Sequence, residues 1–123
     1  MKRPVDITET AGGSVVVATF HGDIDMAEIP RIRMVLDASM AHAETGLVLD
    51  LNGVRHFDSS GLRLLFEMKK RLQQSGRRLS LVAPENGPVR RILSLVNIDQ
   101  FITMRPTVAA ALADFHAVAE TPS

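Results

Sequence analysis

The chain has 123 residues, of which 46% are hydrophobic and 23% charged, so it is long enough to bury one hydrophobic core without metal or disulfide staples. Lys plus Arg and Asp plus Glu balance at 14 each, and Trp and Tyr are absent, which removes both the bulk attraction and the stacking platform of a nucleic-acid binder. No apolar run approaches the roughly 18 residues of a membrane span, and the absence of cysteine excludes thiolate chemistry and fits a reducing cytoplasm.

Met1 to Asp6 carries basic residues without a following apolar run, so no secretory leader is expected. Val5 to Thr8 reads as a short first strand, Ala11-Gly12-Gly13 as a turn, and Val15 to Phe20 as a second strand closing a hairpin. His21-Gly22-Asp23-Ile24-Asp25 is rich in turn formers and reads as a loop. A helix follows, with Pro30 in its first turn, Ile29, Ile32, Leu36 and Ala43 on one face, and Gly46 as its stop signal. Leu47 to Leu51 is a core strand, after which Asn52-Gly53 predicts a turn.

Phe57-Asp58-Ser59-Ser60-Gly61 then leads into a helical repeat from Leu62 to Gln74. Leu64, Leu65, Met68 and Leu72 form its buried stripe, flanked by Leu62 and Phe66, which either widen the core or stay open to a partner. Lys69-Lys70-Arg71 with Arg77-Arg78 is basic but falls at the end of this helix, where cations suit the dipole. Ser75-Gly76 ends the helix, and Leu79 to Ala83 is the next strand. Pro88 opens a third helix with Val89, Ile92, Leu93 and Val96 on one face. Phe101 to Met104 reads as the last strand, and Pro106-Thr107 starts a helix presenting Val108, Leu112 and Phe115, with a frayed tail at about 119–123.

The order is therefore ββαβαβαβα: one α/β domain over 1–123, with a mixed, mostly parallel sheet of about five strands and about four helices. Loops past the carboxyl ends of parallel strands gather on one edge, so Gly22 to Asp25 and Asp58 to Gly61 are expected to be neighbours. A serine at a strand-to-helix junction invites comparison with a hydrolase elbow, but Phe57 replaces the first glycine and no histidine base follows in a loop. His21, His42, His56 and His116 lack metal-site pairing, a receiver-type acidic pair and lysine are missing around Asp50, and no phosphate-binding Gly-Lys-Ser/Thr loop exists. No cofactor or metal is implied. Asp58 or Ser59 suits a helix cap, and the same place suits a phosphorylated hydroxyl. Gly61, costly in a helix, calls either for tight packing on the sheet or for the close approach of a partner.

Gly22-Asp23-Ile24-Asp25 together with Asp58-Ser59-Ser60-Gly61-Leu62, on this element order, resembles the STAS domains, and specifically the bacterial anti-sigma-factor antagonists. Val89-Arg90-Arg91-Ile92-Leu93 and Val96-Asn97-Ile98-Asp99 resemble the same family's third helix and following turn. The resemblance implies a cytoplasmic, non-enzymatic module that binds an anti-sigma factor acting also as a serine kinase, with no direct nucleic-acid contact and no membrane insertion. It implies Ser59 as phosphoacceptor and Asp23, Asp25, Asp58, Ser59, Ser60, Gly61, Leu62 and Phe66 as the partner-binding set. A serine phosphatase of the metal-dependent class would reverse the modification. Asp23 replaces a more usual glutamate, and Asn97 a frequent glycine, which Asn tolerates because it reaches the left-handed region. Two other readings are a non-switching STAS scaffold in a transporter or stressosome-like sensory complex, and an enzyme with no visible catalytic set.

Overall fold

The computed structural model describes residues 5–10 and 14–120, with side chains described as far as residue 115. Five strands are present: β1 (Val5–Glu9), β2 (Val15–Ile24), β3 (Gly46–Phe57), β4 (Arg78–Val82) and β5 (Thr103–Arg105). Four helices accompany them: α1 (Ile29–Met40), α2 (Ser59–Gln74), α3 (Pro88–Leu95) and α4 (Val108–Glu120), with a 3-10 turn at Ile98–Gln100. The expected order holds. Ala11-Gly12-Gly13, for which the sequence predicts a turn, and residues 121–123 lie outside the described residues.

Strand order in space follows strand order in sequence; β1 is antiparallel to β2, and all later neighbours are parallel. Each parallel step moves the chain one strand in the same direction. Crossovers of a single hand then place every connecting helix on the same side of the sheet. Accordingly α1, α2 and α3 pack with Val16, Ala18, Phe20, Leu47, Leu49, Leu51, Leu79 and Leu81 in one large core. The opposite face carries Val15, Val17, Val48 and Val82, covered by Ala111 and Phe115 of α4. Alternation along each strand divides its residues between the two cores.

Several boundaries depart from the sequence expectations. The predicted loop at His21 to Asp25 is strand as far as Ile24, because β2 continues alongside β3 through two register irregularities, with Gly22 at φ +75° absorbing the second. Asn52-Gly53 is likewise not a turn. At Gly53 a Cβ would lie 2.8 Å from the carbonyl oxygen of Phe20, so this glycine permits a close strand approach inside β3. Gly46 is the first residue of β3, and α1 ends at Met40, leaving Ala43 buried beyond the helix. Helix α2 begins at Ser59, three residues before its apolar repeat, since Asp58 supplies the cap. Val96 and Phe101 are exposed, and the last strand starts only at Thr103. Asn97 turns the chain there with φ 53°, the left-handed conformation expected of it.

None of the described helices is long and apolar enough to cross a membrane. At Gly46, a Cβ would overlap the Arg78 carbonyl oxygen and the Phe115 ring, so β3 and α4 meet across this glycine. Gly46→Ala is expected to destabilise the chain by about 1–3 kcal/mol, as overpacked sites do, which a urea denaturation midpoint would report.

Candidate functional site

The extra length of β2 and β3 carries them past β4, which pairs only with Gly46 to Asp50. Ile24 and Phe57 face each other at the end of this two-stranded extension, and the Asp58 amide donates to the Ile24 carbonyl at 3.3 Å. The loops leaving the two strands therefore start side by side, as the sequence predicts.

Asp58 joins them. Its backbone is extended, at φ −101° and ψ −174°, as a helix cap requires, and its Oδ1 accepts the amides of Ser60 at 2.9 Å and Gly61 at 3.2 Å. Its Oδ2 accepts the Met26 amide of the β2–α1 loop at 3.2 Å. One carboxylate thus satisfies two of the free donors of α2 and holds the neighbouring loop. Asp25 performs a similar task locally. Its Oδ1 accepts the Glu28 amide at 3.2 Å, and its carbonyl accepts from Glu28 and Ile29 at 3.0 and 3.2 Å. Asp23 is exposed at the second irregularity of β2.

Ser59, the first residue of α2, is exposed, and its hydroxyl makes no hydrogen bond among the described residues. Ser60 is half-buried and Gly61 is buried. A Cβ on Gly61 would stand 2.8 and 2.9 Å from Phe57 ring carbons and 3.1 Å from Ile24 Cγ2, so tight packing inside the chain accounts for this glycine. From Ser59, the helical repeat runs through half-buried Leu62 to Phe66, which is 40% exposed. Phe66 meets the exposed Phe101 ring edge-to-face at a centroid distance of 6.0 Å, and Lys69 Nζ lies 5.6 Å from the Phe101 centroid. Polar loop, hydroxyl and aromatic pair therefore form a continuous surface along α2.

Beside this stripe, a groove of about 480 Å³ opens between the starts of α1 and α2. Met26 of the β2–α1 loop and Ile29, Pro30 and Arg33 of α1 line it together with Ser60 and Arg63 of α2. Met26 is 73% exposed, an unusual state for so large an apolar side chain. Arg33 is paired with Glu67, whose hydrogen bond and charge raise the Arg33 pKa above its ordinary value. Arg63 has no acidic partner among the described residues. Nothing in the sequence assigns Met26, Pro30, Arg33, Arg63 or Phe101 to the site. An apolar Met26 between acidic residues was the one local signal available.

No cluster of metal-ligating side chains exists among the described residues. Among the described residues the hydroxyl of Ser59 has no histidine or carboxylate bonded to it, the partner that an activated serine nucleophile needs.

The STAS domain family pattern matches residues 6–111. The anti-sigma-F factor antagonist RsfB of Mycobacterium tuberculosis is 28% identical over 114 residues, covering 91% of this chain and 92% of that protein. A crystal structure of an anti-sigma factor antagonist from Mycobacterium paratuberculosis superposes with a TM-score of 0.79 at 26% identity, covering 89% of this chain and 91% of the other. The Bacillus cell-fate determinant SpoIIAA has the same fold at lower identity. Its unphosphorylated form gives a TM-score of 0.73 at 20% identity over 92% of this chain and 96% of SpoIIAA. Its phosphorylated form gives 0.67 at 19% identity over 90% and 98%.

Replacing Asp58 by Ala removes the cap and the tie to Met26 together. We expect a loss of about 1–2 kcal/mol in chemical denaturation, with faster hydrogen exchange at the Met26, Ser60 and Gly61 amides. Unchanged exchange at Met26 would show that the loop is held by other contacts.

Proposed function

The chain belongs to the STAS domain family, and on that premise we propose that it is a bacterial, cytoplasmic anti-sigma-factor antagonist, a binding module switched by phosphorylation of Ser59. Its partner is an anti-sigma factor that is also a serine kinase, and a metal-dependent serine phosphatase returns it to the binding state. The observation that carries this reading is the free, exposed hydroxyl of Ser59 on the first turn of α2, on the sheet edge that also carries Asp23 at the end of β2 and Asp25 just after it. RsfB, similar along nearly the whole chain, is an anti-sigma-F factor antagonist, and SpoIIAA, of the same fold, exists in a phosphorylated form.

The docking surface comprises Asp23, Asp25, Asp58, Ser59, Ser60, Leu62 and Phe66, extended by Met26 and the groove of Arg33 and Arg63. Gly61 contributes by keeping α2 close to Phe57. Phosphate on Ser59 adds about −1.5 to −2 charges to this surface. A partner closing over it would desolvate a dianion, and a loss of about 4 kcal/mol already weakens binding a thousandfold. The fold tolerates the charge because Ser59 is solvent-exposed and takes no part in capping.

Incubation with a cognate anti-sigma kinase and ATP is expected to label wild type and leave Ser59→Ala unlabelled. Ser59→Asp is expected to weaken the complex by at least about a hundredfold, or about 2.7 kcal/mol, in calorimetry. Equal labelling of Ser59→Ala would remove the site assignment. Undiminished binding by Ser59→Asp, with recovery of a transporter or sensory assembly, would favour the non-switching scaffold.

The amides that would ordinarily receive a phosphate at a helix start are already bonded to Asp58. Arg63 stands one turn along α2 and lines the groove with Ser60, and helix geometry brings positions i and i+4 to one face. A pair of this kind is worth about 0.3–0.5 kcal/mol, which at 1.36 kcal/mol per pKa unit corresponds to roughly 0.2–0.4 unit. Arg63 favours the dianion, so Arg63→Gln is expected to raise the second pKa of phosphoserine 59 by about that amount. Phosphorus NMR on protein carrying phosphoserine at position 59 measures it, and an unchanged pKa would exclude the pair.

A further inference from the structure

A separate cavity of about 280 Å³ lies on the sheet face covered by α4, opposite the face that α2 packs against. Leu79 and Leu81 join the core beneath α1 to α3, while Val82 joins the core beneath α4. Alternation therefore directs Arg78 and Ser80 toward α4 as well. Thr103 stands across from Ser80 in the parallel register, and Arg105 across from Val82. Arg78, Ser80, Thr103 and Arg105 thus share one face, closed by Asp114 and Phe115 of α4.

Ser80 is only 3% exposed, and its Oγ has no hydrogen-bond partner. A strand covered on both faces favours Val or Ile, and a buried hydroxyl without a partner is costly, so serine at this position calls for an explanation. The two cations are not equivalent. Arg105 is neutralised by a two-point contact with Asp114, Nε to Oδ2 at 2.7 Å and Nη2 to Oδ1 at 2.9 Å. The Arg78 guanidinium lies 4.6 Å from the Phe115 ring centroid and donates only to the Asp114 carbonyl, at 3.3 Å. It has no carboxylate partner among the described residues. Among the described residues the cavity is accordingly lined by one guanidinium without a carboxylate partner, the Thr103 hydroxyl and an aromatic wall, with the buried Ser80 hydroxyl beside them.

We propose that this cavity binds a small organic carboxylate, whose oxygens are held by Arg78, Ser80 and Thr103 and whose apolar part rests against Phe115. A single negative charge matches the one free guanidinium, and Arg with hydroxyl donors is an ordinary carboxylate set. A phosphate dianion would leave excess charge beside the Asp114 carboxylate and would make no use of the aromatic wall.

The test is a titration of the full nitrogen-15-labelled chain, followed by NMR, with benzoate as probe and with inorganic phosphate and benzyl alcohol as controls. Benzoate is expected to give saturable shifts at Ser80, Thr103 and Phe115, and the controls none. Arg78→Gln and Ser80→Ala are each expected to weaken benzoate at least tenfold. Ser80→Ala is also expected to raise the melting temperature without benzoate, since it deletes an unpaired buried hydroxyl. Absent or non-saturating shifts, equal binding of either control, or undiminished affinity in Ser80→Ala would overturn the proposal. Should Arg78→Gln fail to fold, Ser80→Ala decides alone.

Discussion

The two oxygens of Asp58 do different jobs, and the rest of the site depends on that division. Oδ1 caps α2 through Ser60 and Gly61, while Oδ2 holds the β2–α1 loop through Met26. Because the residue before Ser59 does the capping, Ser59 is spared it. A serine acting as its own cap would have its hydroxyl occupied by an amide of the first turn. The order Asp then Ser therefore separates a structural role from a displayed one across a single peptide bond.

That division is only useful because the sheet brings two loops to the same place. Strands β2 and β3 outrun β4, and their last pair, Ile24 with Phe57, sets the exits of both strands next to each other. Glycines make this extension possible at two points. Gly53 admits the Phe20 carbonyl at close range, and Gly61 leaves room for the Phe57 ring under the first turn of α2. The ring in turn fixes the height at which α2 starts above the sheet edge. Packing of one buried aromatic thus determines where an exposed hydroxyl is presented.

Much of this was legible in the sequence, where it rested on local chemistry. The strand-to-helix junction at Asp58, the buried stripe of Leu64, Leu65, Met68 and Leu72, and the neighbouring loops all follow from periodicity and topology. What stayed hidden needed long-range geometry. Asn52-Gly53 carries the composition of a turn, yet in this chain it is strand, since partner strands and not residue type decide between a turn and a close approach. Gly61 admits two readings in the sequence, packing or partner contact, and the Phe57 ring decides for packing. The groove of Met26, Arg33 and Arg63 is built from the β2–α1 loop and from two helices separated in sequence by the whole of β3, and no single window of sequence contains it. Phe101 has the look of a strand residue, but the left-handed turn at Asn97 and the 3-10 turn after it put the ring on the surface against Phe66.

The distribution of charge explains how a modification here can alter recognition and spare the fold. Of the arginines at the groove, Arg33 is held by Glu67, so the charge that remains free to respond is that of Arg63. The acids differ in the same way, since Asp25 and Asp58 are engaged with backbone amides whereas Asp23 stands in solvent. A dianion on Ser59 would meet no unsatisfied helix amide at Ser60 or Gly61 and would displace no cap. Its field would act on the solvent side, where screening is strong until a partner excludes the water. Exclusion of water by such a partner would make the charge expensive, so the energetic consequence of a phosphate on Ser59 would fall at the interface and not in the free protein.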